Sequence, residues 1–286
     1  MKNKIKPYIL LLPVLIVIIS IVFVGITSCL LQSLGYFPVV GLEKITFKYY
    51  KEVIKSPEFI TSLNFSLYIS IVSSVIATIL GVILAYCIYK KENKNRIVNL
   101  LYKIPIIIPH TIAVILIINT LSRNGIVPRI LYSMGLIKSQ NSFPNLIMDK
   151  DGVGIILTYM WKEIPFIILV VYSVICNIDK KIWETALNLG ASKFQTFFYV
   201  ILPMLMPSIL SSFIIIFSFS FGAFEVPYLL GSTKPKALPV KAYIEYSNPD
   251  LVNRPYAMVI NMILIIICSF LILLYSKCYY YFKKHS

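Results

Sequence analysis

The sequence predicts an all-α membrane protein with six transmembrane helices, from its composition and the length of its apolar runs. The chain has 286 residues, of which 58% are hydrophobic and only 14% are charged. A soluble domain of this size needs more charge on its surface. Because the apolar residues form long runs and not amphipathic patterns, lipid is the expected solvent.

Six apolar runs are long enough to cross about 30 Å of hydrocarbon, which takes roughly 20 helical residues. They are residues 8–31, 63–89, 104–121, 153–178, 199–224 and 256–276. The first follows three lysines, but it is too long for the apolar part of a signal peptide and no cleavage pattern follows it. We therefore interpret it as an uncleaved first helix.

The lysines and arginines between the runs predict the orientation. If the N-terminus is cytoplasmic, the inside segments 1–7, 90–103, 179–198 and 277–286 hold 14 basic residues in 51 positions. The outside segments hold 12 in 93 positions, together with eight of the 12 acids. The denser basic charge inside predicts both termini in the cytoplasm. The net charge of +15 is then a topology signal and a set of lipid contacts, so we expect no nucleic-acid partner.

Metal and enzyme sites are not expected from the reactive residues. The five cysteines form no CxxC pair and lie in or beside apolar runs, and the two histidines are far apart. Such a pattern argues against a zinc site or a disulfide framework. A membrane enzyme would need clustered His, Asp or Glu residues near one leaflet, and no such cluster occurs.

Small residues follow one side of the second and of the fifth predicted helix. The second has two four-residue ribbons, which are Ser66, Ser70, Ser74, Thr78 and Ser73, Ala77, Gly81, Ala85. They favour a helix-packing face, with a substrate path as the alternative. The fifth carries Ser208, Ser211, Ser212 and Ser218. These serines either line a translocation path or bond back to carbonyls of their own helix.

Prolines and two charges interrupt the apolar runs. The prolines are Pro105, Pro109, Pro165, Pro203 and Pro207, and each is expected to kink or break its helix. Lys162 and Glu163 are candidates for a functional site within the membrane. We prefer the interpretation that they lie at the outer boundary, with the fourth helix starting nearer Pro165.

The segment 179–207 is unusually apolar for a connection between spans. Residues 182–189 suit a short amphipathic helix, and Gly190 suits the left-handed residue that ends a helix. Ser192 and Gln195 form a capping-box pattern that starts the next helix. The apolar side of this segment either binds a groove on a soluble protein or lies along the headgroups.

The run Glu184-Thr185-Ala186, Gly190-Ala191, Phe194, Leu202-Pro203 and Pro207 resembles the EAA motif of permeases from binding-protein-dependent ABC importers. Only Thr185 departs from that motif, in place of alanine. The resemblance implies a type I ABC importer transmembrane domain over residues 58–276. An N-terminal helix and external loop precede it at 1–57, and a cytoplasmic basic tail follows at 277–286.

The resemblance implies that the helix near 182–191 couples the permease to a cytoplasmic ABC ATPase. The coupling residues would be Glu184, Thr185, Ala186, Leu187, Gly190 and Ala191. The chain has no Walker A sequence, so we expect no cofactor or catalytic residue in it, and ATP and magnesium would be bound by the ATPase. The other implied partners are a second permease, identical or homologous, and an external solute-binding protein. The implied location is the bacterial cytoplasmic membrane.

The stretch 221–231 is similar to the permease group that handles polyamines, phosphonates, iron and sulfate. Glu225 would favour a cation such as spermidine or putrescine if it lies on the path, but it would also suit a turn before Pro227. The alternative function is a secondary transporter of a small solute with no ATPase. Such a protein would need an ion-coupling site within the membrane.

Overall fold

The computed structural model describes residues 2–91 and 100–285, and helices dominate both parts. Lys94 and Arg96, which contribute to the predicted orientation, lie outside the described residues. Six segments are long and apolar enough to cross a membrane in the part of the chain that the structure describes. They are Leu10–Ser33, Pro57–Lys90, His110–Ser133, Val153–Asn177, Lys193–Gly222 and Leu251–Leu273. The predicted six-helix membrane protein is therefore confirmed.

The helices follow in chain order. They are α1 (Lys2–Ser33), α2 (Lys48–Lys55), α3 (Pro57–Lys90), α4 (Ile104–Ile107), α5 (His110–Leu121), α6 (Ile126–Ser133), α7 (Val153–Asn177), α8 (Lys180–Asn188), α9 (Lys193–Thr196), α10 (Leu202–Gly222), α11 (Glu225–Leu230), α12 (Leu238–Tyr246) and α13 (Arg254–His285). A wider π-helical turn, Phe197–Ile201, joins α9 to α10.

The chain divides into two compact units, of which one comprises residues 1–60 and 238–266. In this unit α1 exposes its apolar side chains along the candidate span. Near the end of α1, the hydroxyls of Ser33 and Tyr50 lie 2.9 Å apart. The ring of Tyr49 packs edge-on against that of Tyr256, and the Tyr256 hydroxyl donates to Glu52 at 2.6 Å.

The other unit comprises residues 61–237 and 267–286. Its apolar core joins α3, α7 and α10, with Ala77, Ile167 and Leu205 buried. Gly81 allows α3 to approach α7 closely, because a Cβ atom there would lie 2.6 Å from the Cβ of Ile167. The two ribbons of α3 are buried apart from the partly exposed Thr78, as a packing face should be.

The third predicted span is wrong at its start. Pro109 separates α4 from α5, and the candidate span begins at His110 and extends to Ser133. The prolines differ in what they do to their helices. Pro105 lies in the first turn of α4, where no N–H is missed, and α7 and α10 continue without a break through Pro165 and Pro207. Pro203 directly follows the π-helical turn Phe197–Ile201 within the continuous span Lys193–Gly222.

The preferred position of the fourth helix is wrong too. The α7 helix starts at Val153, well before Pro165, so Lys162 and Glu163 lie inside it. Both side chains are buried, at 9% and 5% exposure. The sequence did not show this burial, because the groups that Lys162 and Glu163 contact belong to other segments of the chain.

Candidate functional site

The elbow, residues 180–196, is held by hydrogen bonds between near neighbours in the chain. The Asp179 carboxylate accepts from the backbone N–H of Lys181 at 3.0 Å and caps the start of α8. At its other end, the N–H of Gly190 donates to the Leu187 carbonyl and that of Ala191 to the Ala186 carbonyl. These two bonds form a Schellman motif, which ends a helix in a sharp turn.

Gly190 has the predicted left-handed backbone, with φ at +88°. The predicted capping box is present as well: the Gln195 N–H donates to the Ser192 hydroxyl at 3.2 Å, and the Ser192 N–H donates to the Gln195 side chain at 2.8 Å. One helix therefore stops and the next starts within four residues, through hydrogen bonds between residues at most five positions apart.

The two sides of α8 differ in exposure. Trp183 stacks on Tyr86 and Tyr89 of α3, with ring centroids 6.2 and 5.8 Å away, and Ala186 is buried. Leu187, one turn after Trp183, lies near the same side and is 40% exposed, whereas Leu189 lies on another side and is 84% exposed. The elbow is thus anchored by aromatic rings on one side and presents apolar surface on the other.

The predicted coupling residues accordingly fall into two sets. Glu184, Thr185, Leu187 and Gly190 are exposed, whereas Ala186 is buried and Ala191 is partly buried. Sequence reasoning did not select Leu189 for the contact surface. Leu189 comes directly before the turn glycine, Gly190, where the chain reverses direction. A residue at such a turn is expected to be exposed, and this position could have identified it.

Lys162 of α7 binds the break between α4 and α5. Its ammonium donates to the carbonyl of Ile108, and it lies 3.5 Å from that of Ile106. Pro109 has no N–H and Ile108 is extended, so carbonyls at this break lack their helical partners. The lysine therefore satisfies backbone groups that the proline break leaves open.

Glu163 points to a different helix. One of its carboxylate oxygens accepts from the hydroxyl of Ser220 on α10, and the other is buried without a partner in the described residues. The Ser220 hydroxyl also lies 2.9 Å from the carbonyl of Ile216. The two adjacent charges of α7 thus reach two different neighbouring segments.

The predicted path residues differ in exposure and in hydrogen bonding. The hydroxyls of Ser211 and Ser212 donate to the carbonyls of Pro207 and Ser208, as the back-bonding alternative expected. Ser218 is partly buried, and its hydroxyl lacks a partner in the described residues. Glu225 is exposed in the first turn of α11. A role in translocation remains a prediction for these residues.

Comparison with known proteins identifies the family. Residues 77–277 match the family described as binding-protein-dependent transport system inner membrane component. The spermidine/putrescine transport system permease protein PotB of Haemophilus influenzae is 32% identical over 153 residues, which cover 54% of this chain and 51% of that protein. The match therefore spans about half the length of this relative.

Other relatives match over most of their length. A probable sulfate transport system permease protein cysT of Prototheca wickerhamii is 24% identical, covering 80% of this chain and 86% of that one. The molybdate/tungstate transport system permease protein WtpB of Pyrococcus abyssi is 26% identical, covering 82% and 90%.

A solved structure shares the fold. A chain of a bacterial ABC transporter involved in alginate import superimposes with a TM-score of 0.77 at 19% identity, covering 97% of each chain. At this identity the likeness shows the fold alone, which is the transmembrane domain of a type I ABC importer. With the family match over most of its length, the chain belongs to the binding-protein-dependent transport system inner membrane components.

Proposed function

We propose that this chain is a permease subunit of an ATP-driven importer, with the elbow as its contact to a separate ATPase. The observation that supports this most is the exposure of Leu187 and Leu189 on an element whose backbone is already satisfied by its own caps. An exposed apolar surface of this kind is suited to a groove on a soluble partner.

The proposed mechanism depends on the hydrogen-bonded caps that hold the elbow together. Both termini would be cytoplasmic, so the elbow would face the ATPase, which binds ATP and magnesium. Closure of an ATPase dimer would move α8, and the turn at Gly190 would carry the movement into the span 193–222. A second permease would complete the path, and both would rock between inward- and outward-facing states. A solute-binding protein would deliver the solute outside.

Disulfide crosslinking tests the ATPase contact. In a variant without the native cysteines, Leu189→Cys should crosslink to a cysteine in the cleft of the co-purified ATPase. Leu136→Cys is the matched control, since Leu136 is 66% exposed and is likewise adjacent to a helix-ending glycine, Gly135. Equal crosslinking of both positions, or of neither, would contradict the proposed contact.

For the substrate we propose a polyamine such as spermidine or putrescine. The relative named for spermidine and putrescine supports this, and Glu225 provides an exposed carboxylate beside the end of α10. Relatives named for sulfate and molybdate make these anions the competing substrates. A cation and an anion require opposite charges along the path, so one path should not carry both. Measuring the uptake of each solute separately therefore distinguishes the two kinds of substrate.

Uptake into proteoliposomes tests the substrate. The permeases, the ATPase and the binding protein are reconstituted with internal ATP, and labelled spermidine, sulfate and molybdate are offered separately. We expect uptake of spermidine alone, reduced by Glu225→Gln and unchanged by Glu43→Gln in the first external loop. Uptake of an anion would exclude the polyamine while leaving the ATP-driven importer intact.

A secondary transporter is the second candidate, because Lys162 and Glu163 are buried inside an apolar helix. Their contacts to Ile108 and Ser220 provide a structural reason for their presence, and this weakens the candidate. Uptake by the permease alone, driven by a proton or sodium gradient without ATP, would establish it. Uptake that depends on both the ATPase and ATP would exclude it.

A further inference from the structure

A cavity of about 390 Å³ lies between the elbow and the ends of α3 and α7. Its lining combines aromatic and basic side chains with one acid: Tyr86, Tyr89, Lys90, Tyr172, Lys180, Trp183, Glu184 and Lys193 take part. Three lysines against one glutamate give this cavity a positive balance, which favours an anionic ligand.

The cavity lies at the level where membrane spans end. The α3 helix ends at Lys90, α7 ends at Asn177, and the span 193–222 begins at Lys193. Tyrosine and tryptophan concentrate at this level because their rings are apolar and their polar ends reach water. Basic pockets between transmembrane helices at this depth bind the phosphate of anionic lipids.

Trp183 forms an aromatic part of the cavity wall. Its ring stacks on Tyr86 and Tyr89, with ring centroids 6.2 and 5.8 Å away. The indole N–H is itself buried and has no hydrogen-bond partner in the described residues. The ring therefore offers the headgroup an apolar contact, while the lysines supply the positive charge.

Exposed apolar side chains near the cavity favour a lipid over a soluble anion. Ile83 lies three residues before Tyr86 on α3 and is 51% exposed, and Leu169 lies three residues before Tyr172 on α7 and is 41% exposed. Acyl chains can lie along these side chains while the headgroup occupies the cavity. A free phosphate would use the lysines alone.

We propose that this cavity binds the headgroup of an anionic phospholipid, with the phosphate among Lys90, Lys180 and Lys193 beside the Trp183 indole. Glu184 and Leu187 line the same cavity, so the bound lipid would support the inner side of α8. That effect on coupling rests on the proposed function, whereas lipid binding itself does not.

Tryptophan fluorescence tests the proposal. The chain has two tryptophans, so Trp161→Phe leaves Trp183 as the only one. This variant is placed in phosphatidylcholine nanodiscs with increasing fractions of phosphatidylglycerol that carries brominated acyl chains, which quench nearby indoles. Brominated phosphatidylcholine is the reference lipid.

We expect phosphatidylglycerol to quench Trp183 at a fraction at least about fivefold lower than phosphatidylcholine does, the factor that one lysine near an anionic headgroup provides. The triple variant Lys90→Gln, Lys180→Gln, Lys193→Gln should lose this preference. The control triple, Lys44→Gln, Lys138→Gln, Lys150→Gln, has the same net charge, removes exposed lysines elsewhere and should keep it.

Three results would overturn the proposal. One is equal quenching by the two lipids, and another is a preference that survives in the cavity triple. The third is a response of Trp183 to inorganic phosphate without any preference for phosphatidylglycerol, which would assign the cavity to a soluble anion. Transport plays no part in this measurement, so its failure and the failure of the proposed function are separate.

Discussion

The elbow and the middle of α7 are built in opposite ways. The elbow satisfies its backbone with bonds between near neighbours and leaves the apolar Leu187 and Leu189 exposed. The middle of α7 buries the charged Lys162 and Glu163, and both of them hydrogen-bond to groups from distant segments. A locally complete element with exposed apolar side chains is suited to a partner. A buried charge with long-range contacts holds helices together.

The largest effect on transport should come from the elbow turn. Gly190→Val places a β-branched residue at φ +88°, which costs about 1–2 kcal/mol or more for a residue other than glycine. We expect ATP-driven uptake to fall at least about tenfold, since 1.4 kcal/mol corresponds to a factor of ten. The protein should remain in the membrane, which fractionation and uptake assays together would check.

Gly135→Val is the matched control for this variant. Gly135 ends α6 with the same Schellman pair of bonds and has φ at +71°. As at Gly190, a Cβ atom added there would meet nothing within 4 Å. The strain is the same, but no partner contact is proposed there. Loss of uptake in both variants would mean that backbone strain, and not the elbow surface, is responsible.

Of the two losses of stability, the larger is expected at Lys162. Lys162→Met removes the ammonium that donates to the Ile108 carbonyl at the Pro109 break, which leaves a partly buried acceptor unsatisfied. The expected loss is about 1.5–3 kcal/mol, the range for hydrogen bonds to charged groups. Thermal unfolding of the purified protein measures it, and the exposed Lys138→Met is the control. Equal melting temperatures for the two variants would contradict the bracing role of Lys162.

The smallest expected effect is a difference in stability between variants of two serines of α10. Ser220 and Ser212 are both buried and both lie within hydrogen-bond distance of the carbonyl four residues earlier, but only Ser220 also reaches Glu163. Ser220→Ala should therefore cost about 1 kcal/mol more than Ser212→Ala, because it removes the one partner of a buried carboxylate. Thermal unfolding of both variants checks this difference, and equal losses would argue against the contact.

The sequence predicted the elbow because its signals are local. Gly190 and the pair Ser192 and Gln195 determine a turn and a cap within a few residues, and each appears in the structure as expected. The apolar runs likewise predicted the number of spans, since a run of about 20 apolar residues is itself the signal of a transmembrane helix. The family match then confirmed the resemblance that the EAA-like residues indicated.

The middle of α7 could not be predicted in the same way. Lys162 and Glu163 looked like a boundary pair because a charge in an apolar run is expensive unless it is paired. Their partners, the Ile108 carbonyl and the Ser220 hydroxyl, are 54 and 57 residues away in the chain. The break at Pro109 was visible in the sequence, but the ammonium that binds it was not.

The π-helical turn at Phe197–Ile201 has a consequence for the orientation of α10. A π-turn adds about one residue without advancing the helix as an α-turn would, and one residue corresponds to about 100° of rotation. A helical wheel drawn continuously from Lys193 would therefore place Ser208 and every later side chain about 100° from its actual direction.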